Sequence, residues 1–537
     1  MIPRMSIVKT KQMTGLLIAL MMIVVTACSG SKPAASSGKS VPLVIAMSAA
    51  NLPVADTSPT EGYEGWRFVG FQLYDGLTRW QLKQGDKPAD VGPGLAESWE
   101  VSKEDPTLWT FHLRKNVAFH DGTPFNADAV LFQFDRVKKQ DAPQYSAQVA
   151  AGVLTYLKYI DSYSKVDDYT IQIKTKEPYS YLLYDLAFIA IPSPEAVKKF
   201  GTDYPVHPVG TGPFKFVSMK QGQEMILEKN DSYWGGAPKL DQLVLRPVPD
   251  ASARLAALQS GQVNWAEIPP PESVEPLKAS GFQVLLNDYP HIWPYVLNTK
   301  EGPWADKRVR QAANYAIDRE GMSKSLLNGV AKPAGQVLYP GHPYFNDQAT
   351  KYTYDPEKAK KLLAEAGYPN GFQTTFIVPT SGSGNMWPLP MNEFVQKNFK
   401  AVGIDMKIEA IEWQTLITQI RGGFPAGKDI GAYNISLAPV APWVFERYFA
   451  TSSFIPAGSN YGQYSNPKLD DILTKARHAF DAKERDAYLK EAGGIVADDS
   501  PWLYVVHDLN LRVLGPNVKG FVQPQSWFAD LTTVYME

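Results

Sequence analysis

Few side chains of this 537-residue chain are spaced for covalent chemistry. Gly210-Thr211-Gly212 invites comparison with a phosphate loop, but no Gly-Lys-Ser/Thr follows and Pro213 blocks the helix start such a loop needs. Ser381-Gly382-Ser383-Gly384 lacks the Gly-x-Ser-x-Gly frame of a nucleophile elbow, and no downstream histidine is placed to serve it. Ser162-Tyr163-Ser164-Lys165 satisfies Ser-x-x-Lys without the accompanying Ser-Asp-Asn or Lys-Thr-Gly. The seven histidines are scattered, with no His-Glu-x-x-His and no pair three or four apart. His112 and His120 read as scaffold, one in a strand and one in a turn. The expectation is a chain with no catalytic residue, no metal and no cofactor.

Non-covalent chemistry is better provided for. Aromatic residues form 12% of the chain, and several fall outside periodic stripes. Three segments read as loops that follow strands: Thr60 to Arg67, which holds Glu61, Tyr63 and Trp66; Pro379 to Trp387, which holds Asn385 and Trp387; and Ala438 to Trp443. Aromatic rings give large contact area at little entropic cost, and backbone N–H groups of Gly-rich loops orient a ligand without a fixed charge. Glu61, Tyr63, Trp66, Asn385, Trp387 and Trp443 are therefore the candidate ligand-binding residues. The alternative for each tryptophan is plain core packing. For Trp66 the cleft is favoured, because Glu61, Glu64 and Arg67 leave no apolar stripe around it. Glu61 is a candidate acceptor for a ligand amine, or else a solvated loop charge.

The N-terminus carries a different signal. Arg4, Lys9 and Lys11 precede an apolar run from Gly15 to Val25, of about 11 residues, too short to span a bilayer. Val25-Thr26-Ala27-Cys28 resembles a lipobox and places the sole cysteine where a lipoprotein signal peptidase cuts. Residues 1–27 are expected to be a signal peptide, Cys28 the lipidated residue and 28–40 a Gly/Ser-rich tether. Cleavage removes three positive charges, so the mature chain would carry −5 in place of −2. One cysteine excludes a disulfide scaffold and multi-cysteine metal sites, and 53 Lys+Arg against 55 Asp+Glu argues against a nucleic-acid partner.

The elements that must position these residues alternate without a regular repeat. Val41 to Ala46 reads as a buried strand, and Trp109 to Arg114 alternates as a half-buried one. Asn126 caps a helix bearing Ala129, Val130 and Phe134. Asp355-Pro356 and Asn466-Pro467 open two further helices, and Gly367 stops the first. Val309, Ala312, Ala313, Ala316 and Ile317 lie on one helical stripe. Mixed α/β is the fold class that follows.

The order of segments carries a resemblance. Gly94-Leu95-Ala96-Glu97-Ser98-Trp99-Glu100, Trp109-Thr110-Phe111-His112-Leu113-Arg114 and Val117-Ala118-Phe119-His120-Asp121-Gly122-Thr123-Pro124-Phe125 resemble the signature region of family 5 extracellular solute-binding proteins, the oligopeptide, dipeptide and nickel receptors of ABC importers. Leu73-Tyr74-Asp75-Gly76-Leu77, Gly210-Thr211-Gly212-Pro213-Phe214, Asn230 to Gly236, Leu258 to Val263, Val309 to Arg319 and Tyr354 to Ala359 follow in the family's order.

The resemblance implies a two-lobe α/β fold of the periplasmic-binding-protein type (cluster C), with an extra subdomain in lobe I and a hinge between lobes. Lobe I would hold about 41–290 plus 509–537, with the subdomain at about 75–205, and lobe II about 291–508. It also implies a monomeric, non-catalytic receptor, lipid-anchored at the outer face of a membrane or in the periplasmic space. Such a receptor would capture a peptide or peptide-like solute for a permease and its ATPase. One departure bears on the ligand. Peptide-binding members carry an Asp in the loop after a strand like Tyr433 to Leu437, where it pairs with the peptide amine. Ala438 to Trp443 holds no acid, and the first downstream is Glu446. An unpaired buried ammonium costs several kcal/mol, as removing one partner of a buried charge pair does. A non-peptide solute (apolar, differently charged or a metal chelate) is the alternative, with a secreted hydrolase behind it.

Overall fold

A computed structural model describes residues 41–537, so Cys28, the signal peptide and the tether lie outside the described residues. Residues 40–537 form one unit by contacts. Within it two large sheets stand apart in sequence. The first has seven strands in the order Gln283–Leu285, Arg512–Leu514, Trp265–Glu267, Leu43–Met47, Gln242–Pro247, Glu224–Lys229 and Phe214–Lys220. The second has six, in the order Ala331–Pro333, Trp502–Asp508, Trp293–Leu297, Ile430–Asn434, Phe372–Pro379 and Ile404–Ile411. Each sheet is the centre of one lobe of a two-lobe α/β fold. A separate antiparallel sheet (Ala96–Val101, Leu108–Leu113, Thr170–Thr175 and Ile160–Asp167) forms the centre of an additional layer.

Local sequence accounts for much of this. Leu43–Met47 is apolar on both faces and pairs in parallel with strands on both sides, as a central strand buried on two faces must. Asn126 accepts a hydrogen bond from Ala129 N and opens the helix Ala127–Lys138. Asp355 and Asn466 cap Pro356–Glu365 and Pro467–His478 in the same way, each with Pro at the first helical position. Gly367 adopts φ +94° just beyond the first of these, a conformation other residues resist.

The chain passes between the large sheets twice, after Leu285 and after Asp508. The two passages lie side by side and are laced together. Tyr289 Oη donates to Asp508 at 2.9 Å, His291 Nδ1 pairs with the same carboxylate, and His507 Nδ1 meets the His291 carbonyl at 2.7 Å.

Of the three segments expected to be loops, one is helical and two are loops that lead into helices. Gly62 to Leu73 is helical throughout, with a π-turn over Trp66–Gly70. Trp387 and Trp443 are the residues that begin the helices Pro388–Lys400 and Val444–Phe449. The strand read as Tyr433 to Leu437 runs instead over Ile430–Asn434. Beyond Asn434 the pairing loosens: Ile435 N donates to Pro294 O at 3.4 Å, and Leu437 bridges Ile292. The apolar alternation of the sequence continues past the strand's end because Ile435 and Leu437 stay buried there.

Candidate functional site

The helical turn after the first strand begins at Glu61, which takes φ +63° and is followed by Gly62 at φ +63°. Two successive left-handed residues reverse the chain and send Tyr63 and Trp66 to the same side. The charges around them point inward. Glu64 accepts from both the backbone N and the Oγ of Ser48 at 2.7 Å, and Arg67 pairs with buried Glu267, which also receives Arg512 and Trp265 Nε1. Trp66 is 7% exposed and packs edge-on against Phe188 at 5.5 Å and beside Phe71 at 5.3 Å. Charged neighbours therefore mark a buried ion network here, not a solvated loop.

Phe188 is the centre of an aromatic cluster. Tyr156 stacks on it at 4.7 Å, Tyr63 lies at 5.9 Å, and Phe528 at 5.8 Å. Tyr63 also meets Trp527 at 6.1 Å. Trp443 arrives from the lobe of the six-stranded sheet and faces Tyr156 at 6.1 Å. The loop of Asn385 closes another side: a Cβ on Gly384 would lie within 3 Å of Trp527, His291 and Ser436, so only glycine permits this approach. Asn385 fastens that loop, accepting from Ser436 N at 3.2 Å and donating to Ser381 O at 3.3 Å.

The structure thus gathers Tyr63, Trp66, Trp443 and the Asn385 loop around one cluster and leaves two candidates to the side. Trp387 sits near the strand passages, in a cavity of about 10 Å³ with Pro269, Pro270, Pro271 and Asp508. Glu61 faces the start of the helix Trp413–Arg421. Burial raises its pKa; Asn51, 3.4 Å away, and Gln414 oppose that, while Glu64 and Glu412 add to it.

Polar contacts cross the same gap. Glu446, one helical turn from Trp443, accepts from Tyr159 Oη at 2.5 Å and from Lys158 at 3.3 Å, and lies 3.0 Å from Arg477. Arg477 also lies 3.0 Å from Glu177, which meets His478 at 2.9 Å. Ser180 N donates to Arg477 O at 2.9 Å. Glu446 is thus fully engaged and does not stand ready for a ligand amine.

Sequence reasoning missed Tyr156, Phe188, Trp527 and Arg447. The first three carry no spacing signal, because residues far apart in the chain supply them. Arg447 carried one: it sits beside Glu446 in Trp443-Val444-Phe445-Glu446-Arg447-Tyr448-Phe449, a charged pair inside an aromatic, otherwise buried helix. Among the described residues no group of three or more His, Cys, Asp or Glu is arranged to hold a metal, and no helix is long and apolar enough to cross a membrane.

Comparison with known proteins agrees with this architecture. Residues 90–459 match the family described as bacterial extracellular solute-binding proteins, family 5 Middle. The chain is 35% identical to heme-binding protein A of Haemophilus influenzae over 84% of each chain. It is 33% identical to the dipeptide-binding protein of Escherichia coli, over 84% of this chain and 86% of that one. Its fold matches the solved periplasmic binding protein DppA of Helicobacter pylori in complex with the peptide STSA, with TM-score 0.80 and 28% identity, covering 93% of this chain and 98% of that one. A two-lobe fold, matched along most of its length, makes this chain a member of family 5 of the bacterial extracellular solute-binding proteins.

Proposed function

We propose that this chain is the solute receptor of an ABC importer and captures a peptide or peptide-like solute in the aromatic cleft between its lobes. The observation that carries the reading is the contact across the gap. Trp443 faces Tyr156, and Glu446 holds Lys158 and Tyr159, so the lobes meet through side chains that opening would separate. A solute enclosed there would be released to a permease, powered by an ATPase, when the lobes part. Lobe I comprises about 41–290 and 509–537, lobe II about 291–508, with the subdomain at about 75–205. Tyr63, Trp443 and the loop of Asn385 are the candidates assigned to the cleft, with Trp66 packed behind them and Glu61 and Trp387 beside them. The receptor works as a monomer without catalysis, held by lipid on Cys28 at the outer face of the membrane. The dipeptide-binding and peptide-complexed relatives support a peptide-like solute.

A second reading has its own support. The acid-free segment Ala438 to Trp443 and the aromatic lining suit an apolar or anionic solute, and one relative is named as heme-binding. Thermal unfolding with pooled peptides separates the two readings. Ligand at about 100-fold over its dissociation constant adds about 2.7 kcal/mol to stability. A stabilising peptide pool supports the first reading; stabilisation by a porphyrin alone supports the second; turnover of any peptide or ester contradicts both.

A further inference from the structure

Outside the cleft, the lobe of the seven-stranded sheet contains a cavity of about 320 Å³, within the range of small-molecule sites. It is lined by the strand Thr78–Trp80, the segment Gln81 to Gln84, Tyr233 and the C-terminal run Ala529 to Thr532. No lining residue comes from the six-stranded lobe, so the cavity does not depend on closure. Phe71, Trp80, Leu82 and Leu531 make part of its wall apolar. A Cβ on Gly235 would stand 2.7 Å from the Tyr233 ring and 3.2 Å from Arg79 Nη1, so glycine leaves both side chains their room.

The lining is rich in donors that lack acceptors. Arg79 donates from Nη1 to Tyr233 Oη at 3.1 Å, and its guanidinium carbon lies 4.8 Å from the centre of the Trp234 ring. Among the described residues no carboxylate pairs with Arg79, and its Nε and Nη2 reach no acceptor. Trp80 is 6% exposed, and its Nε1 is a buried donor with no partner. Lys83 is exposed and meets only Asp530, at 3.8 Å. The acids are already engaged. Asp75 accepts from Tyr233 Oη at 3.1 Å and from Thr211 Oγ1 and Trp234 Nε1 at 2.9 Å, and Asp530 accepts from Thr532 N and Oγ1. Gln81 and Gln84 can supply either kind of bond. Two cations stand against two acids, so hydrogen bonding and not net charge selects the ligand. A ligand that satisfies this wall brings acceptors, and a carboxylate offers two oxygens to the planar fork of a guanidinium.

We propose that this cavity is a second ligand site, separate from the solute cleft, that takes a small organic acid, with its carboxylate on Arg79 and its apolar body against Phe71, Trp80 and Leu531. The site does not rest on the peptide-like reading of the cleft, since every residue it uses lies in one lobe. Phe71 and Trp80 also pack on Phe188, at 6.1 Å and 6.0 Å, so an occupant rests on two rings that back the aromatic cluster.

The test titrates phenylacetate, and phenylacetamide as its neutral counterpart, into the full chain. Binding is read from the indole N–H resonances, with that of Trp80 identified by its loss in Trp80→Phe and that of Trp443 by its loss in Trp443→Phe. The acid is expected to shift the Trp80 resonance saturably and to bind at least tenfold more tightly than the amide. Arg79→Gln is expected to weaken the acid at least tenfold and to leave the amide unchanged. No saturable shift at Trp80 overturns the proposal, as does equal binding of acid and amide there, or a preference for the acid that survives in a folded Arg79→Gln chain. A shift at Trp443 alone puts the acid in the cleft and overturns it as well. The comparison of acid with amide uses wild type, so it decides even where Arg79→Gln fails to fold.

Discussion

At the scale of single residues the candidates separate by who their neighbours are. Trp66 packs on Phe71 and Phe188 from its own lobe, so its burial does not depend on closure. Trp66→Ala is expected to cost about 3–5 kcal/mol of stability without any ligand, as truncating a buried Trp does, visible in a urea unfolding curve. Trp443 meets Tyr156 across the gap, so closure decides its burial. Trp443→Ala is expected to weaken solute binding by about 2 kcal/mol or more, in the manner of a buried aromatic anchor, measured by titration. The sequence could not separate the two, because Glu61, Glu64 and Arg67 read alike as surface charges. Glu64 and Arg67 turn inward to Ser48 and Glu267, which are 16 and 200 residues away, a partnership no local pattern records. Glu446 was legible as the first acid after the bare loop, but its partners Tyr159, Lys158 and Arg477 come from distant segments.

At the scale of elements the sequence was more informative. Helix starts at Asn126, Asp355 and Asn466 are read from short-range chemistry, and the structure places caps at each. The turn at His120 shows how such a motif acts over distance. Gly210 N donates to His120 Nδ1 at 3.3 Å, so Nε2 carries the proton and donates to Gly212 O at 3.0 Å. The ring thereby fixes the loop Gly210-Thr211-Gly212, whose glycines pass too close to Leu73 for any side chain. Burial pushes the pKa of His120 down to about 4. The unfolded chain therefore binds a proton near pH 6.5 that the folded chain refuses, and stability drains as pH falls from about 6.5 towards about 4. This contribution has a slope of up to about 1.4 kcal/mol per pH unit. His120→Phe is expected to lose about 1–3 kcal/mol at pH 8, leaving Gly210 N without an acceptor while Gly212 O keeps Asn230, and to lack that slope. Unfolding curves of both proteins from pH 4.5 to 8 check this; parallel pH profiles would contradict it.

At the scale of the whole molecule, the two lobes are joined by laced chain passages and held together by contacts that need both lobes. Glu446 is the strongest of these, with a side chain 3% exposed and bonds to Lys158 and Tyr159 on one side and Arg477 on the other. Glu446→Gln leaves Arg477 and Lys158 without their shared carboxylate. Arg477 keeps Glu177 and Lys158 stays in reach of water, so the substitution is expected to cost about 1–3 kcal/mol, and to enlarge the radius of gyration of the unliganded chain in X-ray scattering. An unchanged radius would mean that the ion contacts do not hold the lobes. Two lobes were legible in the sequence only through the order of its motifs. Composition shows no linker where the chain passes between sheets, since those passages are buried: Tyr289 is 1% exposed and His291 0%.

The central claim, a receptor that encloses a peptide-like solute between two lobes, is tested most directly by mass spectrometry of what the natively purified chain releases on denaturation. The account predicts about one solute per chain, containing a peptide bond. It also predicts that this solute rebinds and is recovered unchanged. A released solute with no peptide bond, or one recovered chemically altered after rebinding, would contradict it.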